Sequence, residues 1–156
     1  EQKADIVRNA IDLAHAIGVE MPKVAILAAV ETVSPTMPAT LDAAALCKMA
    51  DRGQIAGGVL DGPLAFDNAV SIAAARTKGI ASDVAGQADV LVVPDLESGN
   101  MLAKQLIYMG EAASAGIVLG AKVPIVLTSR ADSRQSRIAS CAIALMLAHR
   151  YRAAPP

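Results

Sequence analysis

The residues best suited to chemistry cluster near the carboxyl end. Thr128-Ser129-Arg130 stands where an apolar run, Ile125 to Thr128, meets a long helix-period segment. Two hydroxyls, a guanidinium and the free N–H groups of a helix N-terminus suit a phosphate or a developing oxyanion. Asp132, with Gln135 three residues on, also fits a capping box, so an ordinary helix cap is the alternative reading. Ser98-Gly99-Asn100 opens another helix, with Lys104 one turn inside; Ser or Asn capping is its plain reading. Asp61 and Asp95 stand at strand ends, where a turn-forming Asp is the plain reading and a catalytic carboxylate the alternative.

Other chemistries lack their residues. No G-x-G-x-x-G, G-x-x-x-x-G-K-[ST] or G-x-S-x-G occurs, so dinucleotide, nucleoside-triphosphate and α/β-hydrolase readings lose their usual support. His15 and His149 are isolated, with no partner at ligand spacing, and read as helix-face residues. Cys47 and Cys141 sit far apart in apolar helical contexts and read as buried, reduced thiols of a cytoplasmic protein.

The elements that must position these residues alternate between helical and strand periods. Glu1 to Ile17 carries Ile6, Ala10, Leu13, Ala14 and Ile17 as an apolar face and stops at Gly18. Lys23 to Val30 reads as a buried parallel strand, and Leu41 to Arg52, entered from Thr40, as a helix ended by Gly53. Gly57 to Leu60 reads as a strand and Asp61-Gly62-Pro63 as its turn. Ala65 to Lys78 is expected to be one helix capped by Gly79, and Asp89 to Val93 a strand. A helix from Ser98 to about Gly110, short strands Ile117 to Leu119 and Ile125 to Thr128, and a last helix from about Ser133 to Tyr151 complete the series. The Ala-Ala-Pro-Pro tail stops that helix. This alternation predicts one α/β unit, three-layered, with a largely parallel sheet; its ligands collect at the carboxyl ends of the strands, at Glu31-Thr32, Asp61, Asp95 and Thr128 to Arg130.

Composition narrows the partners. The chain has 156 residues, 54% hydrophobic and 19% charged, and a mean hydropathy of +0.43, which excludes a disordered chain. A net charge of -1 and 2% aromatic residues give no electrostatic drive toward nucleic acid and no stacking platform for bases. The longest stretch without charge or His, Ile138 to Ala148, covers about half of the roughly 20 residues a spanning helix needs. No signal peptide is visible, and the start on a mid-helical pattern reads as part of something longer.

Four spaced motifs carry a resemblance. They are Asp61-Gly62-Pro63-Leu64-Ala65-Phe66-Asp67; Val84-Ala85-Gly86 through Val92-Val93-Pro94-Asp95-Leu96; Gly99-Asn100 with Lys104; and Leu127-Thr128-Ser129-Arg130-Ala131-Asp132-Ser133. In this order the series resembles the phosphate acetyl/butyryltransferase family, and its T-S-R-A-D-S ending leans toward the butyryl-type branch. The segments Ala29-Val30-Glu31 and Lys48 to Ile55 are similar to that branch as well.

The resemblance implies an enzyme that moves an acetyl or butyryl group between coenzyme A and inorganic phosphate, with no covalently bound cofactor. It implies an isocitrate/isopropylmalate dehydrogenase-like fold. Residues 1-156 would form the carboxyl-terminal half, a second domain plus the last strand and helix that return to a missing amino-terminal domain. The alternative is a non-catalytic dimerisation or CoA-docking module of a longer enzyme, one fused to a hydratase-like domain among the possibilities. Ser129 and Arg130 match the family's Ser-Arg pair, which handles phosphate and the thioester carbonyl. Acetyl-type members carry an Asp six residues after that Arg, where this sequence has Ser136; either Asp132 substitutes as the base or the role is met differently. Gln87 stands where the family often has a basic residue after V-A-G. Asp61, Asp95, Asn100, Lys104 and Thr128 are the expected substrate or CoA contacts, and no metal is implied. The expected protein is a cytoplasmic homodimer whose partners are acyl-CoA and phosphate, not nucleic acid or membrane.

Overall fold

The computed structural model describes residues 1–153. Of the Ala-Ala-Pro-Pro tail expected to stop the last helix, residues 154–156 lie outside the described residues. A central strand, β1 (Lys23–Leu27), organises the fold, flanked by β2 (Val59–Leu64) and β3 (Val90–Val92) in a parallel sheet of order β2-β1-β3. Alternate residues of β1 serve two cores, as the two-residue period of a strand dictates. Val24 and Ile26 pack with Val7, Ile11, Ala43 and Leu46 from α1 (Gln2–Ala16) and α2 (Pro38–Asp51). Ala25 and Leu27 pack on the opposite face with Leu64, Ala69, Ala75 and Val84, two of them from α3 (Phe66–Val70) and α4 (Ile72–Thr77). A strand buried on both sides must be apolar, which is why Val24 to Leu27, after the half-buried Lys23, show no polar alternation.

Several boundaries differ from the sequence expectation. The buried face of α1 is Ala4, Val7, Ile11 and Ala14, while Ile6 and Ile17 are exposed. Both stripes have helical spacing, and the position of β1 selects between them. Helix α2 begins at Pro38, whose missing N–H costs nothing at a first helical position. Thr40, expected before the helix, lies inside it, fully buried, with its hydroxyl accepting from Ser34 N–H at 2.9 Å.

Asp61-Gly62-Pro63 is strand, not turn. Pro63 is tolerated because β2 is an edge strand of this sheet. A Cβ on Gly62 would stand 2.6 Å from the Ile26 carbonyl oxygen, so the glycine permits the close approach of β1. The expected helix from Ala65 to Lys78 is two short helices, broken at Ser71 in extended backbone; its hydroxyl accepts from Ala74 N–H at 3.2 Å and restarts the coil.

Past β3, α5 (Leu96–Tyr108) leads to β4 (Ile117–Val118) and β5 (Ile125–Val126). These pair antiparallel with each other, outside the parallel sheet. The reason is connection length: Leu119 to Pro124 is far shorter than the crossover of about a dozen residues that parallel pairing requires. The last helix, α6 (Arg134–Ala153), is tied to the hairpin by Gly116 N–H donating to the buried Ser140 hydroxyl at 2.9 Å. Its far end docks on α1 through Arg150, whose guanidinium meets Asp12 at 2.5 Å and His15 at 3.2 Å. His15 also faces the Gly57 carbonyl at 2.7 Å, a helix-packing role. Cys141 is exposed, against the expectation of a buried thiol, although it sits one residue past the buried Ser140 on α6. No helix among the described residues is long and apolar enough to cross a membrane.

Candidate functional site

The loop from Thr128 to Ser133 joins β5 to α6, and its geometry is set by its own polar side chains. Ser129 N–H donates to the Asp132 carboxylate at 2.6 Å, and Asp132 N–H donates back to the Ser129 carbonyl at 3.2 Å. Ala131 N–H reaches the Ser129 hydroxyl at 3.4 Å. The helix cap expected of Asp132 and Gln135 is made one residue later: the Ser133 hydroxyl accepts from Ser136 N–H at 3.0 Å. Because α6 starts at Arg134, Ser133 holds the cap position and Asp132 turns back toward Ser129.

This closed turn leaves Arg130 at its tip, exposed. Among the described residues, no hydrogen bond or ion pair engages the Arg130 guanidinium. An unengaged cation beside a helix N-terminus is an anion-attracting arrangement, since the helix dipole and the guanidinium act with the same sign.

Beside the turn lies a 360 Å³ pocket between the second half of α5 and the start of α6. Lys104, Asp132, Ser133 and Ser136 line it, so the fold brings Lys104 to the same place as the Ser129–Asp132 turn. Ser136 takes part in a hydroxyl chain, with Ser133 at 3.0 Å on one side and Ser114 donating at 3.2 Å on the other. Lys104 also lies 5.9 Å from the centre of the Tyr108 ring.

The remaining expected residues are placed elsewhere. Asp95 caps α5: its carboxylate accepts from Ser98 N–H and from the Ser98 hydroxyl, both at 2.8 Å. Those two donors hold its carboxyl below the usual carboxylate range. The helix therefore starts before Ser98-Gly99-Asn100, which form its first turn rather than its entrance. Asn100 is exposed, and Thr128 is half-buried; neither lines the pocket. Asp61 turns its carboxylate onto Gly62 N–H at 2.8 Å and lies near Cys47 on α2. Burial first, then the charges of Asp61 and Asp51, push the Cys47 thiol up to about 12.

A second, larger concavity of 670 Å³ opens at the carboxyl ends of β1 and β3, with Leu27, Phe66, Val93, Leu102, Leu106 and Met109 on its walls. It is almost wholly apolar. Sequence reasoning missed it, along with the Ser114 link and the role of Arg137, whose guanidinium bonds two carbonyls of the Arg130 turn. The three-and-four spacing of Ser133, Ser136, Arg137 and Ser140 was the available signal, since it puts them on one side of α6.

Comparison with known proteins gives a single answer. Residues 1–145 match the family described as Phosphate acetyl/butaryl transferase. A phosphate acetyltransferase of Rhizobium meliloti is 67% identical over 154 residues, covering 99% of this chain and 49% of that protein. A phosphate butyryltransferase of Clostridium acetobutylicum is 51% identical, covering 95% of this chain and 49% of that protein. Among solved structures, a branched-chain phosphotransacylase from Enterococcus faecalis V583 superposes with a TM-score of 0.84 at 37% identity, over 94% of this chain and 54% of that one. The chain thus spans about half the length of the curated relatives it matches.

Proposed function

The chain belongs to the phosphate acetyl/butyryl transferase family, and from that premise we propose that it forms the carboxyl-terminal half of an enzyme moving an acetyl or butyryl group between coenzyme A and inorganic phosphate. In this reading its fold is the second domain of an isocitrate/isopropylmalate dehydrogenase-like architecture, with the last helix returning to an amino-terminal domain that supplies the other wall of the cleft. The protein is cytoplasmic and uses acyl-CoA and phosphate as substrates, with no covalently bound cofactor.

The observation that carries the proposal is the Ser129–Asp132 turn, which presents an unengaged Arg130 at the start of α6. A phosphate oxygen attacks the thioester carbonyl, the carbonyl oxygen takes up the negative charge, and the C–S bond breaks to release thiolate. A thiol with a pKa of about 8.5 leaves readily, so proton transfer contributes little in this direction. Arg130 and the α6 N–H groups stabilise phosphate and oxyanion, where preorganised charge matters most. Ser129 offers its hydroxyl to phosphate, and Asp132 holds the turn. In the reverse direction Asp132 is the nearest carboxylate to serve as base for CoA thiol. Thr128, Lys104, Asp61, Asp95 and Asn100 are the residues assigned as substrate or CoA contacts.

The second reading, an association module, draws on α5. None of its residues is buried; Leu96 is 86% exposed, and Met109, at its carboxyl cap, 79%. So much apolar surface on one helix favours a covering partner, and we assign that partner as a second copy, giving a homodimer. The two readings are compatible. The direct test is formation of acyl phosphate, with release of free thiol, by the full-length protein given acyl-CoA and phosphate; residues 1–156 alone should turn over far more slowly. A full-length protein that releases no thiol under phosphate would leave only the association role.

A further inference from the structure

We infer that Arg137 is a positioning residue for Arg130, clamping the turn that presents the Arg130 side chain. The inference rests on the reading of Arg130 as the anion-holding group. From the first turn of α6, the Arg137 guanidinium donates through Nη2 to the Arg130 carbonyl and through Nε to the Asp132 carbonyl, each at 3.4 Å. Its own backbone N–H donates to the Ser133 carbonyl at 3.1 Å, which fixes the base of the side chain in the helix.

Among the described residues, the turn is otherwise bonded only to itself. Ser129 N–H, Ala131 N–H and Asp132 N–H all find partners between Ser129 and Asp132. Such a ring keeps its internal shape but can swing as a unit on the chain either side of it. Arg137 joins this ring to α6. Because no partner engages the Arg130 guanidinium among the described residues, its reach is governed by where its backbone is held. A displacement of about 1 Å in a positioned group can cost up to a hundredfold in rate.

The chemistry demands arginine at this position. A planar guanidinium presents donors in a fixed fork and can span two carbonyls, whereas an ammonium is a single point on a flexible stem. Arg137 has no carboxylate partner among the described ion pairs, so carbonyl oxygens are what its fork serves. It is exposed, and its removal opens no core cavity.

The experiment compares Arg137→Lys and Arg137→Gln in the full-length protein, with amide hydrogen exchange and steady-state kinetics measured on both. Exchange at residues 129–132 should quicken in both variants while the β1 amides stay protected. The kcat for acyl transfer should fall about tenfold or more in both, with KM for acyl-CoA unchanged and Tm nearly so. Lysine keeps the charge, so full recovery in Arg137→Lys would overturn the clamp in favour of a simple charge effect. Unaltered exchange at residues 129–132 would overturn it outright, as would a lowered Tm with wild-type kcat. Should the unmutated protein transfer no acyl group, the proposed activity fails, and the exchange measurement still decides whether Arg137 holds the turn.

Discussion

The Asp132 carboxylate accepts the Ser129 backbone N–H at 2.6 Å. That amide is therefore spoken for and cannot also serve an oxyanion, which leaves the charge to Arg130 and the α6 N-terminus. It also gives Asp132 a task that an uncharged acceptor could perform. Asp132→Asn keeps an oxygen for the Ser129 amide and should retain thioester phosphorolysis to within about tenfold, whereas losing a general base costs roughly 10²–10⁴. Asp132→Ala should be the more damaging variant. Equal, severe losses in kcat for both, at unchanged Tm, would instead make Asp132 the base in the forward direction too.

Asp95 is held in its ionised form by Ser98. With its folded pKa below the unfolded value, its contribution to stability is present above the ordinary Asp range near about 3.9 and is lost as pH falls through the lower folded value. Asp95→Ala should lower Tm at neutral pH, and the deficit should shrink as the pH is taken below about 3.9. Thermal melts of both proteins across that range check it; a deficit independent of pH would mean that the cap is not ionic.

The parts of this fold that were legible from sequence are those where one local rule decides. Val24 to Leu27 is apolar throughout and buried, and so short a run suits a strand covered on both faces. Gly18, Gly53 and Gly79 stop helices in the left-handed conformation the sequence suggests. Where two local answers are equally good, neighbours choose. The face of α1 is one case, since Ile6 and Ile17 have the same periodicity as Val7 and Ile11. The break at Ser71 is another: a helix pattern continues through it, yet Ala69 and Ala75 reach the second core from two separate helices. At the site, residue types placed Ser129, Arg130 and Asp132 together, but not who bonds whom. That Asp132 faces backward to Ser129, and that Arg137 grips the turn from α6, depends on a helix start shifted by one residue.

The two thiols should differ sharply in reactivity. Cys141 is exposed, while Cys47 is half-buried, donates to the Gly62 carbonyl and has a thiol pKa of about 12. Because the thiolate is the reactive form, a disulfide reagent at pH 8 should titrate one thiol quickly in the native chain and the second only after denaturation. Two fast thiols in the native state would contradict this placement.

Association through α5 makes a prediction of its own. At micromolar concentration, light scattering should report a particle of twice the chain mass, and Met109→Asp or Leu106→Asp should return it to the monomer without unfolding it. A monomeric wild-type protein at that concentration would remove α5 as the dimer face.

The measurement closest to the central claim is Arg130→Ala in the full-length protein, with turnover and Tm determined on the same preparation. Arg130 is exposed and its guanidinium holds no described partner, so the fold should be unmoved. Loss of a charge-assisted contact to the oxyanion should cost roughly 3–4 kcal/mol, or about 10²–10³ in kcat/KM. Arg130→Lys should recover only part of that, since an ammonium lacks the fork. Large loss of phosphate-dependent thiol release at constant Tm is the result this account predicts; wild-type turnover with a lowered Tm would reduce Thr128 to Ser133 to a helix cap and contradict it.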